Sequence, residues 1–503
     1  MARTLVTLLD DAARREGGKV FLRTGNSATT YGELAARSRR VAAALHARGL
    51  RAGDRVAVAA PNGAEWLEFF FGAVRLGLIV VTLNVRYRET ELDHMLTHSG
   101  TRLLLTSGDR AFYAGFRHRI PDVEDIVFLD RYAEFASSAA EDVPDAEIDA
   151  DTPAVILYTS GTTGVPKGAV LTHGGLVAAA SAQVERVGMT AGDVLLAVLP
   201  LTHVGGLTCN VLAAMVAGSA VVMPTAFSPS GAVAAIAEHR LTILGGVPTM
   251  WALMLAEPAC ARLDASSLRV AIVGGANAEP ALCEAIATRF PGARLTNLYG
   301  MSEVSGAAIM SAPTDPPEVV ARTLGTALPG VEARVVSNGA PVESDVDGEL
   351  QLRGPGAAAG YWDMPAETAE TFLPGGWVAT GDIVTADASG HLAFRGRSKE
   401  MYLQGGYNVY PVEVENVLTG FPGIAMAAGI GVPDPVLGEI GRYYVVPGDP
   451  AAELDPEEIL DYCRERLASY KVPRQLLIVG ELPMTPAGKI AKAVLRERVS
   501  QEH

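Results

Sequence analysis

Seven short apolar runs constrain this chain more than anything else in it. RVAVAAPN, RLLLTS, AVILYTS, AVVMP, LTILGGVPT, LRVAIVGGA and RLTNLYG each pass directly into turn-forming residues. Longer stretches with helical spacing separate most of them, such as YGELAARSRRVAAALHARG (31–49) and PALCEAIATRF (280–290). A strand that is apolar on both faces must be covered on both faces, and a helix after each strand does that. The alternation predicts an α/β protein with parallel sheets. Beyond residue 330 the texture changes to ARVV, GELQLRG and HLAFRG, which predicts a small β subdomain. The turn-rich stretch GRSKEMYLQGGYNVYP (396–411) then leads into a compact α+β segment of about 100 residues. The expected division is a large N-terminal domain over 1–397, made of two parallel αβ subdomains plus the small β subdomain, followed by a small α+β C-terminal domain over 398–503.

Charge removes whole classes of partner. The 503 residues carry 41 basic and 57 acidic side chains, a net charge of −16. Such a chain has no electrostatic footprint for nucleic acid or anionic lipid, so a polyanionic ligand must be held by a few local cations and backbone N–H groups. Val194 to Pro224 holds no charged residue. It is broken by Pro200, by glycines and by Asn210, and it lacks Lys/Arg flanks, so it reads as strand, loop, buried helix and strand rather than a membrane span. Cys209, Cys260, Cys283 and Cys463 are scattered, with no C-x-x-C pair. They predict buried thiols in a reducing compartment. The opening MARTLVTLLDDAARRE turns acidic by residue 10 and has no apolar signal core. A cytoplasmic protein, monomer or homodimer, is the expectation.

One loop points to chemistry. Residues 158–170 read YTSGTTGVPKGAV. After the strand AVILY come Thr159, Ser160, Gly161, Thr162, Thr163 and Gly164, four hydroxyls among glycines that let the backbone approach an anion closely. Lys167 adds a point charge. This is the composition of a phosphate-binding loop. A P-loop kinase or ATPase is disfavoured, because Gly168 rather than Ser or Thr follows Lys167.

TSGTTGVPKG resembles the phosphate loop of the adenylate-forming superfamily: acyl-CoA synthetases, adenylation domains of peptide synthetases, and luciferases. The resemblance runs through nearly the whole chain in the family's order. TYGELAARSRRVAAALHARGLRAGDRVAV stands at 30–58, LPLTHVGGL at 199–207, VPTMW at 247–251 and NLYGMSE at 297–303. GELQLRGPGAAAGYW follows at 348–362, TGD at 380–382, GRSKE at 396–400, GGYNVYPVEVE at 405–415 and PAGKI at 486–490.

The resemblance implies ATP, Mg²⁺ and coenzyme A, and a reaction in two steps. A carboxylate attacks the α-phosphorus of ATP to give an acyl-adenylate, and a thiol then expels AMP. No enzyme nucleophile is required, so catalysis is positioning and charge stabilisation. It implies that Thr159 to Gly164 and Lys167 face the phosphates, that Tyr299 and Gly300 line the adenine, and that Asn297 meets its amino group. Ser302 would reach the α-phosphate and Glu303 would hold the metal. Gly274, Gly275 and Ala276 would line the adenine and acyl pocket. Asp382 would accept the ribose hydroxyls beside Arg397. Lys399 is the implied hinge of a mobile C-terminal domain. Lys489 would bridge carboxylate and phosphates during adenylation, whereas Lys492 is expected to be solvated. Gly405, Gly406 and Tyr407 would admit the pantetheine arm, with Arg442, Lys471 and Arg474 as candidates for the CoA phosphates.

His203 resembles the family's histidine at the acyl site, and the implied pocket adds Val204, Gly206, Cys209, Val247, Trp251, Met301 and Val304. No Lys or Arg lies between Lys167 and Arg186 or between Arg186 and Arg240. A dicarboxylate would want a cation there, so the expected substrate is a neutral, mostly apolar acid. Aryl, fatty and polycyclic acids stay open. Thr82, Thr202, Asn277, Ala379 and Tyr407 depart from the family's usual residues and suggest an unusual pocket. Three alternatives stand beside a full acid–thiol ligase: a member that makes only the thioester, a stand-alone enzyme that loads a carrier protein, and a luciferase-type oxidoreductase. A partner enzyme or carrier protein is accordingly left open.

Overall fold

The computed structural model describes residues 3–139, 143, 146–159, 166–276, 280–449, 451, 454–484 and 490–501. The chain forms two compact units, Met1–Ala333 with Leu352–Ala379, and Arg334–Gln351 with Thr380–His503.

The first unit holds two sheets built as the alternation predicts. In one, strands Asp125–Phe128, Thr101–Thr106, Arg55–Ala59, Ile79–Thr82 and Pro153–Thr159 run parallel in that spatial order, and Lys167–Thr172 closes the edge antiparallel. In the other, Arg294–Met301, Val270–Gly274, Ile243–Gly246, Val194–Leu196, Ala220–Val222 and Val20–Thr24 are parallel. Antiparallel strands flank both of its edges. The central strand Arg55–Ala59 is buried from Val56 onward, as a strand covered on both faces must be. Helix Tyr31–Ala47 starts where a capping box dictates. Thr30 accepts from the Glu33 N–H while the Glu33 carboxylate accepts from the Thr30 N–H.

The uncharged run resolves into strand Val194–Leu196, a helical turn Val204–Gly206, a π-helical segment Leu207–Leu212, helix Ala213–Ala217 and strand Ala220–Val222. No helix among the described residues is long and apolar enough to cross a membrane.

In the second unit, Ile424–Asp434 and Gly438–Pro447 form a long antiparallel pair, extended on one side by Tyr402–Gln404 and Tyr407–Val409. Gln475–Ile478 joins Gly438–Pro447 in parallel. Helix Pro411–Thr419 packs on this sheet through Val414 and Leu418. Residues 380–397 belong to this unit too, with Asp382 set opposite Arg397 in an antiparallel pair.

Candidate functional site

In the first unit the site gathers at the ends of the parallel strands, where such sheets hold ligands. Thr159 ends strand Pro153–Thr159 and pairs with Lys167 across the hairpin; its hydroxyl donates to the Lys167 carbonyl at 3.4 Å. Ser160, Gly161, Thr162, Thr163 and Gly164 lie outside the described residues, as do Asn277 and Lys489.

Lys167 is only 8% exposed, and its ammonium sits 5.1 Å from the centre of the Tyr361 ring. The Tyr361 hydroxyl donates to Glu303 Oε1 at 2.8 Å. Glu303 itself is 7% exposed, in a 3₁₀ turn (Ser302–Val304) after strand Arg294–Met301. Lysine, tyrosine and glutamate thus form one connected set. Burial first, and the Glu303 charge second, push the Tyr361 phenol well above its ordinary pKa, so it stays a donor. The sequence reading missed Tyr361, although it stands inside the quoted GYW. The bridge between Ala169 and Tyr361, with the Trp362 N–H donating to the Gly168 carbonyl, lays this segment along the loop-closing strand.

The nucleotide candidates follow on strand Arg294–Met301. The Asn297 amide nitrogen donates to the Thr323 carbonyl at 2.9 Å, which orients its oxygen as an acceptor suited to an exocyclic amine. A register shift between Tyr299 and Gly300 turns the strand there, as bulges beside sites do. Gly300 must be glycine, because a Cβ would lie 2.0 Å from the Gly306 carbonyl oxygen. Ser302 is buried in the same turn as Glu303. Gly274 faces the Leu298 carbonyl with no room for a side chain, and Gly275, with φ +78°, and Ala276 are exposed at the strand end.

His203 caps the turn Val204–Gly206. Its Nδ1 accepts from the Gly205 N–H at 3.0 Å, so a neutral ring carries its proton on Nε2. Asn62, unmarked in the sequence, holds the approach to it. Its amide donates to the Leu199 carbonyl at 3.0 Å and accepts from the Leu201 N–H at 2.9 Å. Two of the unusual residues meet here, since the Thr82 hydroxyl donates to the Thr202 carbonyl at 3.4 Å. Gly206 packs against the Pro200 carbonyl with no space for a Cβ. Val204, Cys209 and Val304 are buried, while Val247 and Met301 are half-buried.

Trp251 departs from the expectation. It is 0% exposed, its indole N–H donates to the Ile272 carbonyl at 3.0 Å, and its ring meets Phe290 edge-on at 6.0 Å. Its size and its single donor are both satisfied in the core, so it braces strand Val270–Gly274 from behind rather than walling the pocket. Burial pushes the Cys209 thiol up to about 12. Native enzyme treated with iodoacetamide at pH 8 should therefore keep Cys209 unlabelled by peptide mass mapping, and labelling should follow only on unfolding.

In the second unit the structure joins Asp382 and Arg397. Arg397 Nε donates to Asp382 Oδ1 at 3.1 Å, with the carboxylate buried and the guanidinium 56% exposed. Lys399 lies in an exposed turn (398–400). Gly405 and Gly406, with φ +61° and +86°, form the two-residue turn of a tight hairpin, which demands left-handed backbone at both positions. Tyr407 is 59% exposed and stacks on Tyr470 at 4.6 Å. Lys471 is paired with Glu413, and Arg442 donates to Gln475.

Lys492 overturns its expectation. It is buried, with Nζ 2.7 Å from Glu400 Oε2 and 2.8 Å from Glu415 Oε1. A charge on the first residue of helix Lys492–Gln501 is free to point inward when two carboxylates wait there.

Comparison with known proteins now decides the family. The AMP-binding enzyme model matches residues 9–362, and the AMP-binding enzyme C-terminal domain model matches residues 413–489. The chain belongs to the AMP-binding enzyme family. Within it, this acyl-CoA synthetase is 36% identical to feruloyl-CoA synthase of an Amycolatopsis species over 97% of each chain. It is equally identical, over 98% of each chain, to the 3-[(3aS,4S,7aS)-7a-methyl-1,5-dioxo-octahydro-1H-inden-4-yl]propanoyl:CoA ligase of Rhodococcus jostii. ATP-bound MatB from Rhodopseudomonas palustris superposes with a TM-score of 0.91, 31% identity and 98% coverage of both chains. The enzyme activates a carboxylic acid with ATP and forms its CoA thioester.

Proposed function

We propose that the acid this synthetase activates is neutral and mostly apolar. One observation carries this reading. The residues that the resemblance gives to the acyl pocket, His203, Val204, Gly206, Cys209, Val247, Met301 and Val304, include no lysine or arginine. Arg186 is spent on carbonyls, donating to Met310 at 2.5 Å and Ala327 at 2.6 Å. A second carboxylate would be buried there without a partner, which costs several kcal/mol. A ring acid carrying a short carboxyl arm is in keeping with the acids named in its 36% identical relatives.

The residue roles are those the family resemblance implies. Asn297 and Tyr299 take the adenine, Ser302 the α-phosphate, and Thr159 with its loop and Lys167 the outer phosphates. Asp382 and Arg397 take the ribose. Glu303, a single buried carboxylate whose Oε1 accepts from Tyr361, would hold Mg²⁺, a hard cation that takes oxygen ligands. Mg²⁺ would draw charge from the phosphates as the acid attacks. His203, held by its Nδ1, presents Nε2–H toward the acid. A hinge at Lys399 lets residues 398–503 deliver Lys489 for the first step and Gly405, Gly406 and Tyr407 for the second. Four buried free thiols suit the cytoplasm.

Acid-dependent ATP–pyrophosphate exchange tests this. Cinnamic-type, fatty and polycyclic acids are run against malonate at equal concentration. Exchange with at least one neutral acid and none with malonate is expected. Exchange with malonate alone would overturn the acid class. Thioester from synthetic acyl-adenylates without any exchange would overturn adenylation.

A further inference from the structure

We infer that Asn210 is a specificity residue of the acyl pocket, and that its amide N–H donates to a ketone or hydroxyl oxygen that the acid carries at the end away from its carboxyl. The inference rests on reading the acid as neutral and mostly apolar, and it adds one polar group to that acid.

Asn210 interrupts the π-helical segment Leu207–Leu212, where Leu207, Val211 and Leu212 are buried apolar residues. Such segments are rare and gather at functional sites. Asn210 is 6% exposed, and its Nδ2 has no hydrogen-bond partner among the described residues. Two further buried polar atoms beside this segment share that state. One is the Thr208 hydroxyl, and the other is Oε1 of Gln183, whose Nε2 donates to the Cys209 carbonyl at 2.8 Å. Packing alone would be served by leucine or alanine, and a buried donor without an acceptor is unfavourable.

The amide stands at the ends of the parallel strands. Gly245, on strand Ile243–Gly246, faces it. A Cβ there would lie 3.9 Å from Asn210 Oδ1 and 3.8 Å from Ile272 Cβ, so the glycine leaves the space of a methyl open in front of the amide. Gly245 pairs with Ile272, one step nearer the strand starts than Val273, which pairs with the adenine candidate Asn297. Val247, two residues beyond Gly245, borders Gly275, whose Cβ would lie 3.3 Å from Val247 Cγ1. On the helical side, a Cβ on Gly306 would lie 3.3 Å from Cys209 Sγ. Asn210 therefore lies next to two residues that the resemblance gives to the acyl pocket, and one level deeper than the nucleotide candidates. An acid whose carboxyl faces the nucleotide turns its far end toward this level.

Matched acids test this, each skeleton taken with and without a distal oxygen: 4-hydroxycinnamic against cinnamic acid, and 3-(4-oxocyclohexyl)propanoic against 3-cyclohexylpropanoic acid. The measurement is kcat/KM for ATP-dependent thioester formation by the full chain. Wild type should favour the oxygenated member of at least one pair by about tenfold or more, because a site built around a hydrogen bond rejects the analogue that leaves it unpaired. Asn210→Leu should bring that ratio to about one. The oxygenated acid should react more slowly, and the hydrocarbon acid, no longer facing an unpaired amide, faster than with wild type. Asn210→Ser, which keeps a smaller donor, should hold an intermediate ratio. No preference in either pair with wild type would overturn the inference. So would a preference that survives Asn210→Leu, or an equal loss on both members of a pair. Turnover of malonate with all four of these acids inert would instead sink the neutral-acid reading beneath it.

Discussion

Lys489→Ala should abolish acid-dependent ATP–pyrophosphate exchange, by about 100-fold or more, while sparing thioester formation from added acyl-adenylate and CoA. The reasoning starts from charge. When a carboxylate oxygen attacks the α-phosphorus, negative charge accumulates between acid and phosphates, and an ammonium placed there stabilises the transition state more than the ground state. Lys167 is poorly suited to that part, since it is buried against the Tyr361 ring on a strand of the sheet. Lys489 lies outside the described residues; on either side of it Met484 bridges Ile490 and the Ala491 N–H donates to the Pro483 carbonyl at 2.7 Å. The second step expels AMP and needs no bridging cation, so it should survive the substitution. Equal loss of both steps would contradict a lysine that serves adenylation alone. Glu303→Gln offers the complementary case, and its exchange activity should become dependent on higher Mg²⁺.

What the sequence made legible was local. The βαβ alternation follows from strands too apolar to face water, and each quoted run from RVAVA to RLTNLYG contains a strand. Asp382 and Arg397, given by the resemblance to one side of the nucleotide, stand paired in the structure. Tertiary matches were not legible. Tyr361 reaches Glu303 across 58 positions, His98 reaches Tyr158 across 60, and Asn62 clamps Leu199 across 137, and no periodicity encodes such distances. Trp251 was misassigned because a large aromatic beside VPT could face either way; its indole N–H found the Ile272 carbonyl, and that settled the side. Lys492 was misassigned for the opposite reason. A lysine near a polar end is ordinarily solvated, and only the fold brings Glu400 and Glu415 to it.

That burial makes Lys492→Met the substitution with the largest expected effect on stability. Lys492 is the cation for two carboxylates, and Glu415 also accepts the Gly429 N–H at 2.6 Å. Removing it leaves two like charges buried together. Breaking a buried pair in this way costs about 3–5 kcal/mol, whereas methionine replaces the aliphatic stem almost in full. The loss should appear in denaturant unfolding as an early transition of the C-terminal segment, and Lys492→Arg should recover part of it. The pH dependence has a definite sign. In the wild type, burial raises the Glu415 carboxyl while the Lys492 charge pulls it back; burial also opposes ionisation of Glu400, but there Lys492 prevails and the carboxyl is held below its ordinary value. Without the lysine both are driven upward. A carboxyl whose folded pKa exceeds its unfolded one favours the fold while protonated and loses that advantage as pH rises through the folded value. The deficit of Lys492→Met should therefore shrink on acidification from pH 8 toward pH 5 and be greatest at the alkaline end. A deficit that does not vary with pH would mean that lost packing, not uncompensated charge, is what the substitution removes.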